Sequence, residues 1–266
     1  DIDVVATGAI RIEGRNHVYL GGEQDLNIRS VQSNGPVRIK GAEGIFDVST
    51  DAAPTVRASG LIVEAAHGDI GAAGDPLRIA LADGTALTAR AGGSIFLDER
   101  LGDLRVASVL AKGTADLSAQ RAIVDARSAR DSVAINAAAI RLSSRTGDVG
   151  SLSAPFNLFA STGAFGGTVA GGVYATTPTG DLRVSGLRAG GDVQLRAPRS
   201  LLGVGTAPHV TGARVDLIAG SGTIGDADQF FSVDSNGQVV AKAVTGLWFE
   251  EWNGDLNARD IGTRSG

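Results

Sequence analysis

The stretch that decides the fold is a four-residue block that occurs three times along the chain. It reads Gly68-Asp69-Ile70-Gly71, then Gly147-Asp148-Val149-Gly150, then Gly222-Thr223-Ile224-Gly225. A short apolar segment follows each block at the same offset, and the blocks recur at intervals of about 75–79 residues. A long period of this kind is the signature of a repeat architecture, in which each unit buries its apolar face against its neighbours.

A second marker has nearly the same period. An aspartate followed by leucine recurs at Asp25, Asp103, Asp181 and Asp255. The chain therefore reads as one continuous segment, 1–266, of about three and a half repeats. The approximate units are 1–67, 68–146, 147–221 and a partial 222–266.

Within each repeat, short segments alternate apolar and polar residues, as in Asp192-Val193-Gln194-Leu195-Arg196-Ala197. This alternation has the period of a β-strand, and Gly, Asn, Asp or Ser separates one segment from the next. Glycine is abundant, with 38 residues, and aromatic residues make up only 5% of the chain. The pattern predicts an all-β, right-handed parallel β-helix. Four coils of about 19–20 residues per repeat, or three of about 25, both fit the period.

Composition excludes several classes of function. The chain has no Cys, which rules out disulfides and thiolate metal sites, and its formal net charge is −5. Lys and Arg are scattered rather than clustered, so no nucleic-acid partner is expected. No apolar run is long enough to predict a membrane span in this segment.

The segments Gly68–Val106 and Ala189–Ala197 resemble the repeats of very large bacterial exoproteins of the filamentous-haemagglutinin type. The resemblance extends, in degenerate form, over essentially the whole chain. It implies export to the medium or the bacterial cell surface, and a role in adhesion or biofilm matrix. It implies no catalytic site, and the chain is expected not to be an enzyme.

An aromatic residue precedes each Asp-Leu marker by six or seven positions, at Tyr19, Phe96, Tyr174 and Trp248. Since aliphatic residues flank it, alternation predicts that the aromatic side chains face outward. They would then form a row of platforms on which sugar rings stack. The alternative is that the rings are structural stacks, tucked beneath a loop or turned inward.

The last repeat departs from the others, because Leu247-Trp248-Phe249-Glu250-Glu251-Trp252-Asn253 holds both Trp residues of the chain. Trp with carboxylates and an amide is a plausible carbohydrate-binding set. The predicted ligand residues are Trp248, Trp252, Glu250, Glu251, Tyr174 and Tyr19. The expected partners are polysaccharides or surface glycans and the neighbouring repeats of the same polypeptide. An interface with a further repeat or domain explains the Trp-rich segment equally well.

Two other functions stay open at this point. A polysaccharide lyase or hydrolase would need two carboxylates a few ångströms apart, and an inert, self-associating spacer would need no ligand at all. The Asp-Leu series could serve as a metal or acid ladder, but turns before strands explain it better. A repeated G-G-x-G-x-D nonapeptide, which would support calcium, is missing. Calcium is thus an option without support, and no cofactor or metal is expected.

Overall fold

The computed structural model describes residues 2–3, 8–128 and 132–263, and it confirms the parallel β-helix. The described residues form about 13 coils and contain no helix. All pairings between strands are parallel, and they build two sheets that face each other across the core.

The first sheet, sheet A, contains β1 (Ile2–Asp3), β3 (Val18–Gly22), β5 (Val37–Gly41), β8 (Leu61–Ala65), β10 (Leu87–Ala91), β12 (Leu104–Ala111), β14 (Ile123–Asp125), β15 (Ile135–Ala137), β17 (Phe156–Ala160), β19 (Val173–Thr176), β21 (Val193–Ala197), β24 (Val215–Ala219), β27 (Val239–Ala243) and β30 (Ala258–Thr263).

The second sheet, sheet B, contains β2 (Ile10–Gly14), β4 (Leu26–Ser33), β6 (Ile45–Asp47), β7 (Val56–Ala58), β9 (Leu77–Leu81), β11 (Ile95–Glu99), β13 (Thr114–Ala119), β16 (Ala139–Ser144), β18 (Phe165–Val169), β20 (Leu182–Ala189), β22 (Leu201–Gly203), β23 (Val210–Gly212), β25 (Thr223–Ile224), β26 (Phe231–Ser235), β28 (Gly246–Leu247) and β29 (Phe249–Glu251).

The number of residues per coil varies along the chain, whereas the sequence predicted a uniform coil of either about 19–20 or about 25 residues. Val18 pairs with Val37 one coil later, whereas Leu61 pairs with Leu87, so the second coil is longer than the first. The longer coils carry loops at 48–55 and 71–76, where one side of the coil is split into two short strands. Loops can be accommodated there because they leave the solenoid without disturbing the pairs above and below.

Each repeat spans three and a half coils. The Asp-Leu marker opens three eight-residue strands, β4, β12 and β20, and successive ones are seven sheet crossings apart. Because seven is odd, β4 and β20 lie in sheet B while β12 lies in sheet A. Successive repeats are thus related by a half turn about the rod axis and a rise of about 17 Å, taking about 4.8 Å per coil.

The core is a column of Val, Ile, Leu, Ala and three buried Phe side chains between the sheets. In β21, for example, Val193, Leu195 and Ala197 are buried and Arg196 is exposed, as the alternation predicted, whereas Gln194 is also buried and donates a hydrogen bond of 3.1 Å to Asp216. Each coil contributes only a few apolar side chains, so stability comes from the stacking of neighbouring coils.

Candidate ligand-binding surface

The aromatic and acidic residues of the last repeat divide between the two faces of one strand. Phe249 pairs with Phe231 and Glu251 pairs with Val233, and both of these partners are fully buried. Alternation along the strand then places Trp248, Glu250 and Trp252 on the outer surface of sheet B. Trp252 is 50% exposed, Glu250 is exposed and Trp248 is partly exposed.

The Trp248 ring lies against the backbone of Gly246, two residues earlier in the chain. A Cβ atom placed on Gly246 would lie 2.3 Å from the indole ring, so only glycine leaves room for the ring at that position. The same arrangement occurs in the preceding repeat, where the Tyr174 ring covers Gly172. The glycine two residues before each of these two rings therefore leaves the space in which the ring lies.

The neighbouring coil extends this surface. Phe230, which is 46% exposed, directly precedes β26, the strand paired with β29. The Asn253 side-chain amide donates a hydrogen bond of 3.3 Å to the carboxylate of Asp234 in that coil. We call the outward set of Phe230, Trp248, Glu250, Trp252 and Asn253 the aromatic patch.

Glu251 stands apart from the patch, on the core side of its strand. Its Oε1 atom accepts a hydrogen bond of 2.9 Å from the backbone N–H of Ser235. Glu99, at the equivalent place two repeats earlier, accepts a bond of 2.9 Å from Leu81 N–H, the equivalent of Ser235. Burial raises the pKa of both carboxyls against the effect of these backbone hydrogen bonds. Glu251 is thus a corner residue of the solenoid, like Glu99.

The tyrosines predicted as ligands face outward but lie far from the patch. Tyr19 is 46% exposed and stacks on His17, with ring centroids 6.3 Å apart and planes inclined by 9°. Tyr174 is half-buried, and its pKa is raised by burial and by the nearby carboxylates of Asp192 and Asp148.

The half-turn repeat separates the aromatic positions. Tyr19 and Tyr174 belong to β3 and β19 in sheet A, whereas Phe96 and Trp248 lie on the sheet B side. The four side chains consequently do not form the single row that the sequence suggested. The structure brings together only Trp248, Glu250 and Trp252 of the six predicted ligand residues.

The Asp-Leu aspartates have a structural role at the corners. Asp25, Asp103 and Asp181 each accept a backbone N–H of the following coil through Oδ1, at 2.8, 3.0 and 3.0 Å. These bonds satisfy turn amides that would otherwise lack a partner. Alternation between the sheets and the rise of about 17 Å per repeat also keep these carboxylates from forming one ladder.

Charged groups beneath the outer surface of sheet B were not singled out by the sequence. Asp98 is 3% exposed and accepts hydrogen bonds from Arg100, Arg145 and the Ser118 hydroxyl. Burial by itself would raise the pKa of Asp98, but the bonds from the two guanidinium groups and the hydroxyl outweigh it and lower the pKa. The carboxylate is therefore neutralised within the protein and is not available to a ligand.

A further buried polar set holds the loops of sheet B. Asp47 binds the guanidinium of Arg78, which also donates to the carbonyl oxygen of Ser49 in the 48–55 loop. Two repeats later, Gly203 replaces Asp47 and the ring of His209 packs against it, accepting a bond of 2.9 Å from Ser232 N–H. The same place in the structure is therefore filled by the Asp47 carboxylate in one repeat and by the His209 imidazole in another.

Within residues 2–3, 8–128 and 132–263, no group of three or more His, Cys, Asp or Glu is arranged to hold a metal ion. That part of the chain likewise has no helix able to cross a membrane. Comparison with protein-family models, curated proteins and solved structures finds no match. The resemblance to filamentous-haemagglutinin-type exoproteins therefore stays a prediction.

Proposed function

We propose that the chain is a structural and adhesive segment of a large secreted or surface-bound bacterial protein, and that it holds polysaccharide on the aromatic patch. The parallel solenoid suits such a role, because stacked coils form a long rod although each coil buries only a few apolar side chains. The observation that carries the proposal is the outward alternation of Glu250 in β29 and of Trp248 and Trp252, which flank that strand.

The spacing of the two indoles fits an extended sugar chain. Residues four apart on a strand are about 13 Å apart, so Trp248 and Trp252 would contact sugars at separate positions along one chain. Aromatic rings offer apolar faces to sugar C–H groups, while Glu250 and Asn253 supply hydrogen-bonding groups beside them. Burial of the Trp248 ring against Gly246 reduces the entropy lost when a ligand binds.

Titration of tryptophan fluorescence with bacterial exopolysaccharides and host glycans tests the proposal. A saturable change is expected for at least one glycan. The substitution Trp252→Ala should weaken that binding about tenfold, equivalent to about 1.4 kcal/mol, with Trp248 remaining as the reporter.

Leu256→Ala is the matched control, because Leu256 is an exposed apolar residue of the same repeat, 42% accessible, outside the patch. It should leave the affinity unchanged. Binding that survives Trp252→Ala, or no binding to any glycan by a correctly folded protein, would contradict the assignment and leave the spacer function as the better explanation.

A further inference from the structure

We infer that the aromatic patch selects a cationic glycan, namely a polymer of amino sugars that carries free, protonated amines. This inference rests on the proposed function and adds the charge of the ligand. It follows from a comparison of the last repeat with an equivalent segment of the same chain, in which the acidic residue of the patch has a cationic partner.

The segments Ile95–Arg100 and 247–252 occupy the same position in their repeats, each followed by Gly-Asp-Leu after one further residue. Asp98 is the equivalent of Glu250, and Arg100 is the equivalent of Trp252. In the earlier segment Arg100 donates to Asp98 at 2.9 Å. In the last repeat an indole occupies the place of Arg100, so Glu250 lacks the cation that Arg100 supplies to Asp98.

The surroundings of Glu250 are also acidic. From residue 214 to residue 260 the chain has eight carboxylates and three basic side chains, Arg214, Lys242 and Arg259. Arg259 is in β30 and Arg214 directly precedes β24, and both strands belong to sheet A. Lys242 is in β27 of sheet A, where it is ion-paired with Asp260 at 2.5 Å. The exposed carboxylates of Asp226 and Asp228 lie in the loop that precedes Phe230. No ion pair involves Glu250 among the described residues.

The two basic side chains nearest on sheet B do not supply the missing charge. His209 is buried, and burial lowers its pKa more strongly than the Glu250 carboxylate raises it, which favours the neutral imidazole. Arg188 pairs with Thr211 in the next coil, and Thr211 pairs with Asp234 in the coil after that. Asp234 in turn lies next to Trp252, because Val233 pairs with Glu251. Three coil steps place the backbone of Arg188 about 14 Å from that of Trp252.

A polar group buried beside Glu250 lacks a partner as well. Ser232 is paired in register with Glu250 and is fully buried, and its hydroxyl oxygen makes no hydrogen bond. Because Ser232 is 0% exposed, a ligand amine bound at Glu250 would reach this hydroxyl only after the side chains that cover it move. Indole faces attract cations, so Trp248 and Trp252 favour the same ligand charge as the carboxylate.

The test compares three probes of equal length by tryptophan fluorescence: a hexamer of glucosamine, a hexamer of N-acetylglucosamine and a hexamer of galacturonate. The buffer is mildly acidic, so that the glucosamine amines are protonated. The glucosamine hexamer should bind about fivefold more tightly than the acetylated hexamer, the upper range for an exposed ion pair. In about 1 M salt the preference should vanish, because the screening length falls to about 3 Å.

Two variants of equal charge change separate a specific effect from net charge. Glu250→Gln should lower the affinity for the glucosamine hexamer to that for the acetylated hexamer and so remove the preference, whereas Glu23→Gln, in an exposed turn at the other end of the rod, should keep it. Equal binding of charged and acetylated hexamers, or tighter binding of galacturonate, would overturn the inference but leave the proposed function standing. If neither hexosamine hexamer binds the folded protein, the inference fails, and the proposed function then depends on the wider glycan panel.

Discussion

Gly150 gives the sharpest test of how successive coils approach one another. It has a φ of +67°, and its equivalents Gly71 and Gly225 have φ of +67° and +69°. A Cβ atom at Gly150 would lie 2.4 Å from the carbonyl oxygen of Tyr174 in the next coil. Gly150→Ala should therefore cost about 1 kcal/mol for the left-handed backbone and about 2 kcal/mol more for the overpacked contact.

Gly180→Ala separates the two contributions. Gly180 has a similar φ of +72°, but a Cβ atom added there would have nothing within 4 Å. It should lose only about 1 kcal/mol. In thermal unfolding followed by circular dichroism, Gly150→Ala should melt about 4–8 °C below Gly180→Ala, at about 2–4 °C per kcal/mol for a chain of this size. Equal melting temperatures would refute the argument that the coils touch at this glycine.

Three further outcomes follow from the buried polar groups of sheet B. Burial lowers the pKa of His209 below its ordinary 6.5, so the unfolded chain binds the proton more readily, and stability should fall as the pH drops below about 6.5; His209→Gln should reduce this dependence in urea titrations. Gly203→Asp should destabilise the protein because the added Cβ would lie 2.3 Å from the His209 ring. Adding His209→Thr should restore much of the lost stability. If the double variant instead loses the sum of the two single losses, a carboxylate does not substitute for the imidazole at this place. Arg78→Met should cost about 3 kcal/mol by leaving Asp47 buried without its cation, and an unchanged denaturation midpoint would show that the pair contributes nothing.

Much of the fold could be predicted from the sequence, because marker spacing and alternation are local signals. The strand Val193–Ala197 shows both faces of the sheet in its residue order. The number of coils per repeat could not be obtained in this way. The period gives only the number of residues between markers. That number is divided between short coils, such as the one from Val18 to Val37, and long coils, such as the one from Leu61 to Leu87. The loops that lengthen some coils have no uniform composition.

Because each repeat has three and a half coils, only part of the candidate site could be predicted from the sequence. Outward alternation of Trp248, Glu250 and Trp252 follows from strand period alone. Whether Tyr19 lies on the same sheet as these residues depends on the sheet in which each repeat begins. That sheet can be predicted only when the number of coils per repeat is known. The inward position of Glu251 was available in the sequence, since it shares parity with Phe249.

Hydrogen–deuterium exchange with and without a bound glycan would test the central claim, that this solenoid holds polysaccharide on the outer face of its last repeat. With a saturating glycan from the fluorescence panel, we expect slower amide exchange in residues 230–235 and 246–253. Exchange in the loop at 48–55, which lies many coils away along sheet B, should not change. Protection confined to that loop or to sheet A, under conditions of saturated binding, would contradict the account.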